Sequence, residues 1–143
     1  MHNLPVTLVG NGGGLFYAPL GPTHQAIEYF SIMSVIPNMS IVAPCDEIEM
    51  EMLVRDSLKL KSPLYIRIAR GGEEIISSKK ENFTIGKGIL KKKPETILFL
   101  STGIMTQRKL IAEKQLNKKV YTYTVLHIYL CKQPDEYTAA SRV

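Results

Sequence analysis

Between the apolar run Pro5-Val6-Thr7-Leu8-Val9-Gly10 and the next apolar stretch stands Asn11-Gly12-Gly13-Gly14, a segment that neither a helix nor a strand tolerates. The chain must turn there. The run before it predicts a short strand, and its β-branched, non-alternating character predicts one buried on both faces, as in a parallel sheet. Leu15 to Leu20 predicts an apolar loop. Gly21-Pro22 then predicts a helix start, with Thr23 capping the first free amides and His24 in the first turn of a helical pattern that begins at Ala26. Loops leaving the carboxyl ends of parallel strands are where open α/β sheets bind ligands, and a helix N-terminus favours anions and neutral imidazole. The three glycines invite a phosphate-loop reading, but no Lys-Ser or Lys-Thr follows and the next segment is a loop, so flexibility is the better account.

Downstream, Ala26, Tyr29, Phe30, Met33 and Ile36 fall at helical spacings and predict an apolar stripe that lies on a sheet, stopped by Pro37-Asn38. Met39 to Ala43 predicts a second strand. Asp46 and Glu49 stand at capping-box spacing before a second helix whose acids come early and whose Arg55 and Lys59 come late, with Ile48, Met52 and Leu53 as its apolar face. That helix needs no functional explanation. Ser62-Pro63 leads into a third strand, Leu64 to Ala69, ending at Arg70-Gly71-Gly72. Strand, helix, strand, helix, strand describes a right-handed parallel α/β unit with helices on both faces.

From Glu73 to Asn82 the sequence turns polar, as an exposed linker does, which divides the chain into residues 1–78 and 79–143. Beyond it, Phe83 to Leu90 and Thr96 to Ser101 predict strands flanking Lys91-Lys92-Lys93-Pro94-Glu95, the solvated tip of a hairpin. Thr102-Gly103 opens a helix running to about Leu116, and Val120 to Ile128 predicts a last strand holding His127 as a core residue.

Composition narrows the function classes. With 143 residues, 45% hydrophobic and 22% charged, the chain has the balance of a globular protein. Its net charge of +5 is spread along the chain without aromatic or RNA-binding patterns, which argues against nucleic acid and for collecting phosphorylated substrates. Cys45 and Cys131 have no metal-ligand spacing, so no zinc site is expected. No run approaches the roughly 20 apolar residues of a membrane span, and a reduced, cytoplasmic protein is expected.

Gly21-Pro22-Thr23-His24-Gln25 followed by a helix, then Ile36-Pro37-Asn38-Met39 and Val42-Ala43-Pro44-Cys45-Asp46, resembles the second half of the pyrimidine-binding domain of transketolases. The resemblance runs from about Pro5 to Glu136, with residues 79–143 similar to the start of the transketolase carboxy-terminal domain, though Tyr129-Leu130-Cys131 matches poorly. It extends to deoxyxylulose phosphate synthase and, more weakly, to 2-oxo-acid dehydrogenase beta subunits, which generally lack the Gly-Pro-Thr-His turn. It implies thiamine diphosphate as cofactor and transfer of a two-carbon ketol unit between sugar phosphates or related sugars. By the same resemblance His24 is a catalytic hydrogen-bond partner of the substrate oxygen, Arg70 binds substrate phosphate, and Thr23 and Gln25 complete the substrate-binding turn. Arg67 pairs structurally or lines the rim.

Departures from the family temper this. Leu20 stands where sugar-using members carry an aspartate, and Gly12 or its neighbours where they carry a histidine or aspartate. The activating glutamate, the aromatics that stack on the aminopyrimidine, and the Gly-Asp-Gly domain that holds diphosphate and magnesium have no counterpart in these residues, and Glu28 and Glu49 cannot replace the glutamate. The chain therefore reads as a truncated or split transketolase piece, silent alone and completed by a diphosphate-binding subunit or domain in a homo- or hetero-oligomer. Two alternatives stand beside it: a deoxyxylulose phosphate synthase or dehydrogenase beta-type piece, and a non-catalytic truncated product or interaction module.

Overall fold

The computed structural model describes residues 3–81, 83–91, 97–116 and 123–128. Lys92, Lys93, Pro94, Glu95 and Cys131, and the poorly matching stretch at Tyr129, lie outside the described residues. Within them are two three-stranded sheets, one formed before residue 68 and one after residue 88.

The first sheet is parallel. Strand β1 (Thr7–Gly10) and β2 (Ser40–Val42) flank β3 (Leu64–Arg67), in the order β1-β3-β2. Side chains alternate along a strand, so neighbours in register share a face. Val42, Leu64 and Ile66 face helix α2 (Glu47–Ser57), whose Leu53 completes a fully buried cluster with Met50 at its margin. Ile41 and Tyr65 face the other way, where Phe30 and Met33 of helix α1 (Tyr29–Ser34) cover them together with Ile36 and Met39. Helices thus lie on both faces, as the patterning predicts.

Two expectations for this half need correction. Helix α1 has six residues and starts at Tyr29, because the residues before it are drawn into other structure: Pro22–His24 forms a 3-10 turn and Ala26 pairs with Gly14. Strand β1 is not buried on both faces. Leu8, beside Tyr65, is 43% exposed and Val9, beside Ile66, is 54% exposed, and among the described strands only β3 pairs with β1.

In the second sheet β4 (Ile89–Leu90) and β5 (Ile97–Ser101) both pair with β6 (Tyr123–His127), β4 antiparallel and β5 parallel. The expected hairpin is therefore absent, since β6 lies between the two strands that were to form it. The strand expected from Phe83 shrinks to two residues. Phe83 and Ile85 instead pack against the core of the first sheet, and Ile89 joins it. Lys91 is no solvated tip: its amide donates to Val125 O at 3.0 Å, and its ammonium, 5% exposed, meets Glu81 at 2.8 Å and Ser77 Oγ at 3.0 Å. Helix α3 (Met105–Leu116) joins β5 to β6. No described helix is long and apolar enough to cross a membrane.

Candidate functional site

The carboxyl ends of β1 and β3 leave the first sheet side by side. Gly12 N–H donates to Ala69 O at 2.7 Å and Gly13 N–H to Ile68 O at 2.9 Å, which zips the start of one loop to the end of the neighbouring strand. The first loop makes a long excursion closed at its neck by two bonds, Gly14 N–H to Ala26 O and Ala26 N–H to Gly14 O. Arg67, the last residue of β3, braces that neck. Its guanidinium lies 4.3 Å from the Phe30 ring centre and donates to Ala26 O at 3.3 Å.

That brace explains the glycine run better than flexibility does. A Cβ at Gly13 would lie 2.4 Å from Arg67 Nε, and at Gly12, where φ is +75°, it would enter the Tyr17 ring. The glycines are there for close approach.

His24 and Thr23 sit exposed at the far end of this excursion, on the Pro22–His24 turn. Gly21, at φ 88° and ψ −179°, opens the turn, and Thr23 caps no amide. Its hydroxyl instead lies 3.0 Å from His24 Nδ1, which leaves Nε2 directed away from that contact. Gln25 is half-buried and closes the turn through its amide, bonded to Pro22 O. Leu20 is 59% exposed on the preceding turn.

A cleft of about 290 Å³ opens at the same edge of the sheet, between Asn11 after β1, Pro44 to Glu47 at the start of α2, and Ile68 to Glu73 after β3. Arg70 lines it; His24, Thr23 and Gln25 do not. Arg70 is the one basic lining residue among those described, and its side chain is exposed. The amides of Arg70 and Gly71 already donate to Glu73 Oε1, at 3.1 and 3.0 Å, so the backbone donors at the end of β3 are taken by a carboxylate of the chain itself.

The opposite wall is held by Asp46. One of its oxygens accepts from Glu49 N–H at 2.9 Å, capping α2, and the other accepts from Ile76 N–H at 2.8 Å and Ser77 N–H at 2.6 Å. Burial by itself would raise the Asp46 pKa, but these amides and the Ser77 hydroxyl outweigh it and hold the carboxyl below its ordinary range. The polar stretch after Glu73 is therefore tethered at Ile76 and Ser77, and Ser77 is buried.

Behind this wall is a group that sequence reasoning missed. Glu49, 0% exposed, accepts from Cys45 N–H at 2.6 Å and lies 2.9 Å from His127 Nε2, while His127 Nδ1 lies 2.7 Å from Thr106 Oγ1. Gln107 donates from one amide nitrogen to Cys45 O and Glu74 O, and Gly103 N–H donates to Ala43 O. Helix α3 of the second half thus fixes the loop that walls the cleft. Burial first, then the Glu49 carboxylate, pushes the Cys45 thiol well above its usual value. The available signal was Glu49 itself, one position off a true capping box, since its carboxylate reaches the amide of Cys45 rather than that of the cap residue Asp46.

Comparison with known proteins gives the following. Residues 1–72 match the family model described as transketolase, pyrimidine binding domain. A 6-deoxy-6-sulfo-D-fructose transketolase subunit from Clostridium sp. is 32% identical over 133 residues, covering 93% of this chain and 41% of that protein. The 1-deoxy-D-xylulose-5-phosphate synthase of Neisseria meningitidis is 34% identical over 122 residues, covering 84% of this chain and 19% of the synthase. The solved structure of a split-gene transketolase, an inactive beta4 tetramer, superposes with a TM-score of 0.83 at 27% identity, covering 96% of this chain and 44% of that one. The chain spans less than half the length of each of these relatives.

Proposed function

The chain belongs to the transketolase family through its pyrimidine-binding domain, and from that premise we propose that it is the substrate-facing part of an assembly that transfers a two-carbon ketol unit between sugar phosphates or related sugars. The observation that carries this reading is the shared edge of the first sheet. The loop bearing His24 and the strand end bearing Arg70 leave it side by side, zipped by the Gly12 and Gly13 amides.

In this reading His24 donates or accepts a hydrogen bond at the substrate oxygen through Nε2, with Thr23 holding Nδ1. Arg70 pairs with the substrate phosphate across the cleft, in place of backbone amides that Glu73 already occupies. Gln25 fixes the turn on which His24 is carried.

Members of the family use thiamine diphosphate, which supplies the carbanion when bound. The described residues do not fit its diphosphate and magnesium. The Asp46 carboxylate is committed to three backbone amides, Glu47 and Glu73 add negative charge, and Arg70 alone opposes them. No step is therefore assigned to the cofactor on these residues, and a separate diphosphate-binding subunit or domain is part of the proposal. Exposed Leu8 and Val9 on β1 support an oligomeric partner, and the free, buried Cys45 thiol supports a reducing, cytoplasmic setting.

Two measurements test this. Calorimetry of the isolated chain with thiamine diphosphate and magnesium is expected to show no tight binding, and micromolar affinity would refute it. In the assembly completed by a diphosphate-binding partner, Arg70→Met is expected to raise KM for a phosphorylated ketose about tenfold or more, the size of one lost charge-assisted bond. Equal effects on an unphosphorylated ketose would remove the phosphate role. The alternative of a deoxyxylulose phosphate synthase-type piece is favoured if the assembly accepts a 2-oxo acid as donor.

A further inference from the structure

The buried group behind the cleft wall presents a ligand set. Cys45 Sγ, one Glu49 oxygen and His127 Nε2 all lie within 4.8 Å of one another, and their residues are 2%, 0% and 0% exposed. Cys45 comes from the loop just before α2, Glu49 from its first turn and His127 from the end of β6, so elements far apart in sequence assemble the set.

Proton bookkeeping in this group leaves a gap. The Thr106 hydroxyl has a single proton, which it donates to Ser101 Oγ at 3.0 Å. Toward His127 Nδ1 it can then only accept, so Nδ1 carries the ring proton. Nε2 of a neutral imidazole consequently aims its lone pair at Glu49 Oε2, a second acceptor 2.9 Å away. Two acceptors at that distance need a cation between them. In addition, Glu49 Oε1 is buried with no hydrogen-bond partner, a costly arrangement for a carboxylate.

We propose that Cys45, Glu49 and His127 form a buried binding site for a divalent transition metal of the zinc class. Thiolate, carboxylate and imidazole are the donors such an ion takes. Thr106 holding the far nitrogen of His127 is the outer contact that orients a metal-bound histidine. Tetrahedral bonds of about 2.0–2.3 Å put ligand atoms about 3.3–3.8 Å apart, so the group closes by up to about 1.5 Å on loading. Ser77 Oγ, 3.4 Å from the sulfur, is a candidate fourth contact. Nearby Lys91 does not oppose the ion as a bare charge, because its ammonium is paired with Glu81 at 2.8 Å.

The exchange balances. Without metal the group holds two protons, one on the thiol and one between His127 and Glu49, and is neutral overall. Binding expels both, and the ion's two positive charges meet a thiolate and a carboxylate, so the buried group is neutral again. A low-dielectric interior is never asked to hold a net charge.

The test is titration of the intact chain with cobalt(II), then displacement by zinc. One equivalent is expected to bind with a sulfur-to-cobalt charge-transfer band and tetrahedral visible spectrum, releasing two protons as read by calorimetry in buffers of different ionisation enthalpy. Cys45→Ser is expected to abolish the band, Glu49→Gln to weaken affinity at least tenfold, and Cys131→Ser to change neither. If the folded wild-type chain, checked by far-UV circular dichroism, takes up no stoichiometric zinc or cobalt at micromolar concentration, the group holds a shared proton only and the proposal fails. It fails equally if Cys131→Ser, rather than Cys45→Ser, removes the band.

Discussion

Two regions of this molecule reverse the usual distribution of polarity. The seam between the sheets buries Asp46, Glu49, Thr106, Gln107 and His127, whereas β1 and its flanks leave Leu4, Val6, Leu8 and Val9 between 43% and 58% exposed. In the seam most polar atoms find partners across long sequence separations, as when Gln107 reaches Cys45. At β1 the large apolar side chains are only about half covered. Burying polar groups costs free energy unless they are bonded, and exposing large apolar ones forfeits about 25 cal/mol for each Å² left in water. The contrast teaches that the seam draws its polar partners from within this chain, Glu49 Oε1 excepted, while the stabilisation available at β1 is not realised by the chain alone.

The strongest way to break that comparison is to cut the seam. Glu49→Ala leaves His127 Nε2 and Cys45 N–H buried without their shared partner, and removal of one member of a buried, hydrogen-bonded ionisable pair costs about 3–5 kcal/mol. Urea denaturation should show a loss of that size. A loss under 1 kcal/mol would mean the seam is wet and its contacts dispensable.

Next comes Gln107→Leu, which preserves volume but orphans the carbonyls of Cys45 and Glu74. A cost of about 1–3 kcal/mol is expected. Amide exchange should accelerate in residues 45–46, on the cleft wall, and in residues 74–77, the stretch tethered behind it, while the β1–β3 ladder keeps its protection. Uniform acceleration would deny Gln107 its local role.

Asp46→Asn tests the same wall through pH. The folded carboxyl titrates below its ordinary value, so its ionised form contributes stability that is complete above an unfolded pKa of about 3.9 and is lost as pH falls through the folded value. The variant should be about 1–3 kcal/mol less stable at pH 7, because Asn keeps an oxygen for the cap bond to Glu49 N–H but turns an amide NH2 toward the Ile76 and Ser77 donors. Below pH 3 the difference should narrow, and a difference independent of pH would assign the loss to packing.

How much of this was legible in advance follows the range of the forces involved. Local periodicity placed α2, β2, β3 and α3, because the residues that bury each one lie within a few positions of each other. The capping role of Asp46 was legible for the same reason, its amide partner at Glu49 being three residues away. What escaped needed long-range geometry. The pairing of β4 and β5 with β6 rather than with each other depends on a strand more than 20 residues away. The fit of Gly13 against Arg67, and of Glu49 against His127, depends on side chains 54 and 78 positions apart, for which spacing carries no signal. At the candidate site the residues were named from resemblance, and what the fold adds is where they stand: Arg70 in the cleft, His24 on the exposed turn outside it.

The smallest expected effect on the isolated chain is at the open edge, and it sharpens the contrast most. Val9 points to the α2 face and Leu8 to the α1 face, yet both are about half exposed, so neither fills a hole whose loss would destabilise the chain. Val9→Thr keeps the β-branch that suits a strand and should change stability by no more than about 0.5 kcal/mol. In an assembly that covers β1 the same hydroxyl would be buried without a partner, at a cost of about 1–3 kcal/mol, roughly a fivefold to hundredfold weakening of association. Sedimentation of wild-type and variant chains, with and without the completing subunit, separates the two outcomes. If association is unchanged while β1 is covered in the assembly, the exposed edge is a tolerated surface, and the seam alone accounts for what this chain contributes.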